Sequence, residues 1–249
     1  MKIKTYWILI NYNNSIEIQK LILKYNNHCE FVIVDNSNNY KKENDELVLV
    51  PKKNIGYIGG FKYALKHIIN PNEARLIFSN SDIKIQSGSE KLFSFKEKLT
   101  YVQTPRIISP KGEQNPHILK RKTNNHWVIR KIASQNVVFW NLWLFLVNFK
   151  KHLRKQSSDI KEQYIYAGHG SFFIFNKINF TDFVKLKHNF LYGEEIHLAE
   201  YFFQNQIPVL FDRDIVVFHE EHSTTSKLNN NFRRKLFHDS YKSILNNYY

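Results

Sequence analysis

The sequence of 249 residues is poor in cysteine and has no apolar run long enough to cross a bilayer. Its one cysteine, Cys29, has no intrachain partner, which excludes a disulfide scaffold and favours a reducing compartment. A bilayer span needs about 20 apolar residues. The first apolar stretch, residues 6–10, is also too short for the apolar core of a signal peptide. We therefore expect a cytoplasmic protein that keeps its N-terminus.

Acidic residues are also scarce, since 22 Asp and Glu face 36 Lys and Arg and the formal net charge is +14. A charge of this size predicts an anionic partner, which is nucleic acid, a membrane surface or a phosphorylated small molecule. Hydrophobic residues make up 43% of the chain and aromatic residues 15%, enough to bury a core and to argue against disorder. The length predicts one or two domains, and no internal repeat is present.

The first hundred residues alternate strand-like and helix-like patterns. Strands are predicted at residues 4–11, 30–34, 47–50 and 75–78, and helices at residues 16–25 and 61–69. This alternation predicts an α/β fold, a Rossmann-like and mainly parallel sheet with helices on both faces.

Polar residues follow the predicted strands where each one ends. Asn11, Asp35, Asn54 and Asp82 all lie in such loops. In parallel sheets ligands bind beyond the carboxyl ends of the strands, where loops and helix N-termini converge. We therefore expect these four residues to converge on one crevice.

Two of these loop residues are carboxylates with two interpretations each. Asp82, in Asn80-Ser81-Asp82, is placed to hold a hard divalent cation that neutralises phosphate oxygens, although Asp is also common in turns. Asp35 either forms an Asx-type turn or accepts hydrogen bonds from a base or ribose. Gly56, Gly59 and Gly60 do not have the spacing of a dinucleotide fingerprint or a P-loop, so they indicate close backbone approach to a ligand or a tight turn.

Two adjacent carboxylates and one histidine mark the second half of the chain. Glu194 and Glu195 precede a helix predicted at residues 196–204, where the helix dipole favours acids of any role. Because neighbouring side chains point in different directions, one can face a cleft as a general base while the other braces the loop or a sugar hydroxyl. His219 is the last residue of a predicted strand. It is a candidate metal ligand or proton carrier, or else an ordinary core or surface residue.

The middle of the chain, residues 105–163, is a predicted basic and aromatic helical insertion. The apolar run 137–149 is flanked by Arg130 and Lys131 before it and by Lys150, Lys151, Arg154 and Lys155 after it. Its Trp and Phe residues, among them Trp140 and Trp143, suit a helix lying in a membrane interface. A helix hairpin covering the sheet, or a dimer contact, explains the same pattern. The sequence is compatible with an oligomer as well as a monomer.

The second half is predicted to continue the sheet. A strand is predicted at residues 172–175, then a final strand or pair of strands at residues 208–211 and 215–219, and a terminal basic helix at residues 232–249. We thus expect a single domain of residues 1–249, with one half at residues 1–104, the helical insertion at residues 105–163 and a second half at residues 164–249.

Several short motifs occur together in a fixed order. They are Leu9-Ile10-Asn11-Tyr12-Asn13-Asn14, Val34-Asp35-Asn36-Ser37, Asn54-Ile55-Gly56-Tyr57-Ile58-Gly59-Gly60, Phe78-Ser79-Asn80-Ser81-Asp82, the segment 168–173, the segment 190–198 and Val216-Val217-Phe218-His219. In this combination the sequence resembles glycosyltransferase family 2, in particular its small bacterial branch with rhamnosyl- and galactofuranosyl-type enzymes of surface polysaccharide assembly. The resemblance covers most of the chain outside residues 105–161.

The resemblance implies a GT-A fold and an inverting, metal-dependent transfer of a sugar from a nucleotide-diphosphate donor. It makes residues 1–104 the nucleotide-sugar-binding half and residues 164–249 the acceptor-binding and catalytic half. The acceptor would be a glycan or lipid-linked glycan of O-antigen, lipooligosaccharide or capsule. Asp35 would read the nucleoside, and Asp82 would bind Mg or Mn, with His219 near the metal. Glu195 would be the general base, supported by Glu194.

The candidate site residues fall into donor-binding and acceptor-binding sets. The donor-binding set is Asn11, Asp35, Asn54, Gly56, Gly60, Lys62, Asn80 and Asp82, and the acceptor-binding set is Gly168, His169, Gly170 and Ser171. Three positions depart from the family pattern. Asn80 replaces the first Asp of a full DxD motif, Lys62 is a candidate phosphate contact near a position where the family often has Asn, and Glu195 is one methylene longer than Asp.

The alternative function is a non-catalytic basic module that binds a membrane or nucleic acid. No basic recognition helix or RNA-binding aromatic strand motif is present, so we expect no nucleic-acid partner. The expected location is cytoplasmic, with peripheral attachment to the inner face of the plasma membrane through residues 127–155. The sequence does not specify the sugar, the acceptor or the linkage.

Overall fold

A computed structural model describes residues 3–94, 100–153, 163–185, 188–221 and 229–249. The predicted helical insertion is therefore described only in part. Its residues 154–162, which include Arg154 and Lys155, lie outside these ranges. The strands are β1 (Thr5–Asn11), β2 (Glu30–Asp35), β3 (Leu47–Leu49), β4 (Arg75–Ser79), β5 (Ile83–Ser87), β6 (Tyr101–Ser109), β7 (Gly112–Glu113), β8 (Gln163–Tyr164), β9 (Phe172–Asn176) and β10 (Val209–His219). The helices are α1 (Ser15–Tyr25), α2 (Gly56–Leu65), α3 (Ser89–Phe93), α4 (Asn124–Gln135), α5 (Val137–Leu153), α6 (Glu194–Gln204) and α7 (Asn230–Tyr248).

The strands form one sheet in the order β3-β2-β1-β4-β9-β6-β10-β5, with β7 paired to β6 and β8 to β10. The first four strands are parallel, as the alternating pattern predicts. β9 then runs antiparallel between β4 and β6, and β6 pairs in parallel with β10. The residue patterns did not predict the antiparallel pairs, because the direction of a strand depends on its connections rather than on its own residues.

Helices cover both faces of the sheet, in agreement with the prediction. On one face, Ile58 and Phe61 of α2 and Leu198 and Phe202 of α6 pack on the strands. On the other, α1 and α3 form a second core around Trp7. Burying a side chain of this size contributes about 1.5–3 kcal/mol, so these two layers hold the sheet.

The boundaries of α1 and α2 follow from local packing. In α1, Ile18, Leu21, Ile22 and Tyr25 recur at helical spacing and are buried against the sheet. α2 begins at Gly56, five residues before the predicted start at 61, so that the glycine-rich segment is its first turn.

A third layer consists of α4, α5 and α7. Trp127 and Trp140 of the first two helices pack with Tyr241 of α7 and with Ile196 and Ala199 of α6. The helix-hairpin interpretation of the middle segment therefore describes α4 and α5, although they pack on α6 and α7. Since β6 occupies residues 101–109, the sheet extends past the predicted boundary at 104. Among the described helices, none has the length and apolarity that a bilayer span requires.

β10 is one continuous strand, which is one of the two forms, a strand or a pair, predicted at residues 208–211 and 215–219. Its register against β6 shifts between Asp212 and Val216, because the residues between them interrupt the ladder without ending the strand. The shift keeps both apolar parts of β10 in the core and carries the strand on to His219 at the carboxyl edge of β4.

Candidate functional site

Asn11 and Asp35 lie opposite each other at the carboxyl ends of β1 and β2. Asn11 Nδ2 donates to Asp35 Oδ1 at 2.8 Å, and the backbone N–H of Tyr40 donates to Oδ2 at 2.8 Å. Burial alone would raise the pKa of Asp35, but hydrogen bonds from Tyr40, Ser37 and Asn11 outweigh it and lower the pKa. These contacts are those of the turn-forming interpretation. The nucleoside-reading role of Asp35 stays a prediction.

Asn80, Asp82 and His219 come together where β4 and β10 end. The Nε2 atom of His219 lies 3.2 Å from Asp82 Oδ1 and 3.0 Å from Asn80 Nδ2. The backbone N–H of Glu220 donates to the Asp82 carbonyl at 2.9 Å, which fixes the two segments to each other. Asp82 and His219 are both buried. The two predicted metal ligands are therefore neighbours, although they are far apart in the sequence.

The chemistry of this cluster fits a cation only in part. A carboxylate and an imidazole are ligands that Mn²⁺ accepts, whereas Mg²⁺ favours oxygen. Within the described residues, no group of three or more His, Cys, Asp and Glu side chains could hold a metal ion. A cation bound at Asp82 and His219 would therefore need further oxygen ligands from a bound molecule such as a diphosphate.

Three imidazoles connect this cluster to Glu195. The ring centroids of His219 and His169 are 5.9 Å apart, and those of His169 and His117 are 5.5 Å apart. The Nε2 atom of His117 lies 3.9 Å from Glu195 Oε1. Asp82 and Glu195 thus lie at the two ends of one row of rings. The functional roles assigned to Asp82, His219, His169 and Glu195 stay predictions.

His117 was not identified from the sequence. It lies in the segment between β7 and α4, where no motif marks it. Nearby Asn115 is buried, accepts a hydrogen bond from the His169 backbone N–H at 2.7 Å and donates to the Pro105 carbonyl at 2.8 Å. The Nδ1 atom of His169 lies 2.9 Å from Ser171 Oγ. Asn115 and Ser171 therefore hold His169 from two sides.

The two adjacent glutamates occupy different environments at the start of α6. Glu194 packs against Gly170, where a Cβ atom would lie 3.0 Å from Glu194 Oε1. Burial, and then the charge of Glu195, raise the pKa of Glu194 to about 8. Glu195 points towards His117 and keeps 23% of its side chain exposed. As predicted, the neighbours diverge, since Glu194 lies against Gly170 and Glu195 faces His117.

Tyr57 of α2 lies near both acidic positions. Burial raises the pKa of Tyr57 well above its usual value, and the charges of Glu194 and Asp82 add to the effect. Its ring stacks on Phe78 with centroids 4.3 Å apart. Its buried hydroxyl has no hydrogen-bond partner in the part of the chain that the structure describes. The sequence motif includes Tyr57, but sequence reasoning gave it no role.

The glycines of the predicted site permit close packing between chain segments. Gly56 has φ of 74°, and a Cβ atom there would lie 2.0 Å from the Phe190 carbonyl oxygen, so another residue would be strained and would clash. Gly60 packs on Ile10 and Gly168 on Thr104 in the same way. At Gly56 the structure has the tight turn, one of the two alternatives predicted for these glycines. In this turn Asn54 Oδ1 accepts a hydrogen bond from the Gly56 N–H at 2.9 Å.

Lys62 is buried beneath the loop that leads to α6. Its Nζ lies 3.3 Å from His188 Nδ1 and 4.6 Å from the centre of the Phe183 ring. Burial, and then the charge of Lys66, lower the pKa of Lys62 to about 8. Lys62 is only 5% exposed, and its phosphate contact stays a prediction.

Comparisons with known proteins were made by sequence and by structure. No protein-family model matches the chain, and no curated protein matches it by sequence. The crystal structure of GalNAc-T7 with UDP, GalNAc and Mn²⁺ superposes with a TM-score of 0.56 at 12% identity. The match covers 96% of this chain and 50% of GalNAc-T7, so the chain spans about half the length of that protein.

Two structures of the galactosyltransferase LgtC match less closely, each with a TM-score of 0.40. One is an active-site mutant at 9% identity, and the other is a complex with donor and acceptor sugar analogues at 7% identity. They cover 94% and 96% of this chain and 95% of their own. The GalNAc-T7 superposition shows the fold, which is the GT-A fold expected from the resemblance.

Proposed function

We propose that this protein is a glycosyltransferase that moves a sugar from a nucleotide-diphosphate donor to a glycan acceptor. The observation that carries the proposal is the row of rings from Asp82–His219 to Glu195, at the carboxyl edge of a GT-A sheet. A group-transfer enzyme needs a place for the leaving diphosphate and a base for the incoming hydroxyl. This arrangement provides candidates for both, at the two ends of one row of rings.

On the donor side, Asp82 and His219 would hold Mg²⁺ or Mn²⁺, with Asn80 beside them. When bound, the cation supplies charge neutralisation of the diphosphate as it departs. The matched GalNAc-T7 structure contains UDP and Mn²⁺, which supports a donor of this class. The buried Tyr57 hydroxyl is a further donor that an oxygen of the bound molecule can satisfy. Asn11, Asp35 and Asn54 stay proposed contacts to the nucleotide.

On the acceptor side, Glu195 would take the proton of the incoming hydroxyl. The acceptor oxygen then forms a bond to the anomeric carbon while the bond from that carbon to the diphosphate oxygen breaks, which inverts the configuration. Burial raises the pKa of Glu194, which favours its neutral form and suits a supporting hydrogen bond rather than the role of base. His169, Gly170 and Ser171 border the same space and are proposed acceptor contacts.

The family 2 resemblance extends the proposal to a biological role. The acceptor would be a glycan or lipid-linked glycan of a bacterial surface polysaccharide, such as O-antigen, lipooligosaccharide or capsule. The enzyme would act in the cytoplasm, where nucleotide sugars are made.

A donor panel tests the proposal. UDP-, dTDP- and GDP-sugars are added to the purified protein with Mn²⁺, and the melting temperature is measured together with slow donor hydrolysis. One donor class should raise the melting temperature, because a ligand that binds the folded state stabilises it. Asp82→Asn should remove the metal dependence of this shift. A protein that neither responds to any donor nor hydrolyses one would contradict the proposal.

A further inference from the structure

The α5 helix exposes a continuous apolar stripe. Val138, Phe139 and Leu142 are 71%, 57% and 53% exposed, and Phe145 and Leu146 continue the row at 65% and 46%. Their spacing of three and four residues places them on one side of the helix. We call these five residues the α5 stripe. Soluble proteins rarely expose contiguous apolar surface on this scale without a partner.

The opposite side of α5 packs against the protein, so α5 is anchored to the fold and exposes the α5 stripe. Trp140 is buried, with its ring centroid 5.3 Å from that of Phe237 of α7. α4, which contacts α5, adds Ile129 and Ile132, each more than half exposed. The buried Trp140 corrects the sequence-based view of this tryptophan as a membrane-interface residue, since Phe139 and Phe145 are the exposed aromatic side chains.

The charge of this part of the chain is one-sided. Residues 114–158 contain nine of the 36 Lys and Arg residues and none of the 22 Asp and Glu residues. An open pocket of about 310 Å³ lies where α4 leads into α5, and Arg234, Lys235 and His238 line it together with Ser134 and Gln135. A cationic pocket therefore lies next to the first residues of the apolar helix.

We propose that the α5 stripe and the adjoining cationic pocket bind the surface of an anionic phospholipid bilayer. An apolar stripe bordered by cations is what an interfacial helix requires, because acyl chains take the apolar side and headgroups the cations. A second copy of the chain would bring the same acid-free cationic segment against this one. Nucleic acid would pair with the cations and leave the stripe in water.

Under the proposed function, this docking would orient the site towards its acceptor. The layer that carries the stripe packs on Ile196 and Ala199, in the first turns of the helix that carries Glu194 and Glu195. A membrane-bound α5 therefore fixes the start of α6 relative to the bilayer and keeps a lipid-linked acceptor within reach.

Vesicle flotation tests the proposal with the full chain. Vesicles of phosphatidylcholine alone, or mixed with phosphatidylglycerol, are floated with the wild-type protein and with the double variant Phe139→Asp, Leu142→Asp. The wild type should float with the mixed vesicles and be released by salt, and the double variant should bind at least about tenfold more weakly. The matched control, Ile16→Asp with Leu23→Asp on α1, exchanges two side chains of 69% and 68% exposure and should bind like the wild type.

Three outcomes would overturn the proposal. In the first, the wild type does not bind the mixed vesicles. In the second, the stripe variant binds them as well as the wild type does. In the third, light scattering shows that the wild type is a dimer that does not bind vesicles and that the stripe variant is a monomer. The donor-induced thermal shift is measured on every variant. A retained shift shows that the variant is folded, whereas vesicle binding without any donor response would contradict only the proposed function.

Discussion

At the scale of single residues, the two adjacent glutamates have different environments and therefore different expected roles. Glu195→Gln should lower transfer by at least about 10²-fold, because it removes the proposed general base. Glu194→Gln is the matched control, since Gln has the shape of the neutral form that the raised pKa of Glu194 favours, and it should cost less than about tenfold. Transfer rates with saturating donor decide between them, and the reverse order would exchange the two roles.

The raised pKa of Glu194 also predicts how stability depends on pH. The folded state holds this proton up to about pH 8, whereas an unfolded Glu releases it near its usual value of 4.5. The stabilising contribution is therefore fully present below the unfolded value and is lost as pH rises through the folded one. Chemical denaturation of the wild type should show a free energy of unfolding that falls across this window. Glu194→Gln should flatten the profile, and an identical slope in both proteins would contradict the assignment.

Sequence reasoning at this scale succeeded where a motif marks a residue and failed where only the fold does. Asp82 follows a predicted strand and His219 ends one, and the family resemblance implied that both lie near one metal, so their contact could be expected. His117 lies in an unpatterned segment and reaches the site through the path of the chain after β7. Tyr57 looks like any apolar helix position until its burial near two acids is known.

At the scale of elements, a buried ion pair ties the segment before α4 to α6. Glu200 is fully buried, and Arg121 meets its carboxylate through Nε at 3.0 Å and Nη2 at 2.9 Å. The hydroxyls of Tyr166 and Tyr249 donate to the same carboxylate at 2.6 Å and 2.9 Å. This cluster therefore joins four segments of the chain around one charge.

Breaking this pair should be costly. Arg121→Gln leaves the Glu200 carboxylate buried without its cation, and we expect a loss of about 3 kcal/mol in the free energy of unfolding. Lys185→Gln, which removes an exposed pair with Asp182, should cost less than about 1 kcal/mol. Urea denaturation of both variants measures the difference. Equal, small losses would show that Glu200 is held by the tyrosines alone.

A second buried network fixes the register of four neighbouring strands. Arg75 of β4 donates to Asn176 of β9 at 2.9 Å and to Gln103 of β6 at 3.4 Å, and Gln103 donates to Asp212 of β10 at 2.5 Å. A shift of any strand by one residue would leave a buried polar group unpaired. The sequence could not reveal this network, because it depends on β9 entering the sheet between β4 and β6.

At the scale of the whole molecule, the fold class was predictable and its charge distribution was only partly so. The alternation of strands and helices specifies an α/β sheet with two covered faces, which follows from short-range patterns. The position of the helical layer does not follow from such patterns, because α4 and α5 pack on α6 and α7, which come later in the chain. The excess of cations was visible in the composition, but its relation to an exposed stripe required the packing of Trp140.

The order of strands in the sheet has a consequence for co-translational folding on the ribosome. β4 and β5 are made early, yet their partners β9 and β10 emerge only about a hundred residues later, which takes on the order of 5–20 s of synthesis. During that interval one edge of β4 and one edge of β5 have no partner strand. A translation-arrest reporter should record pulling force only after β10 has left the exit tunnel; an early peak, before β9 emerges, would contradict this order of events.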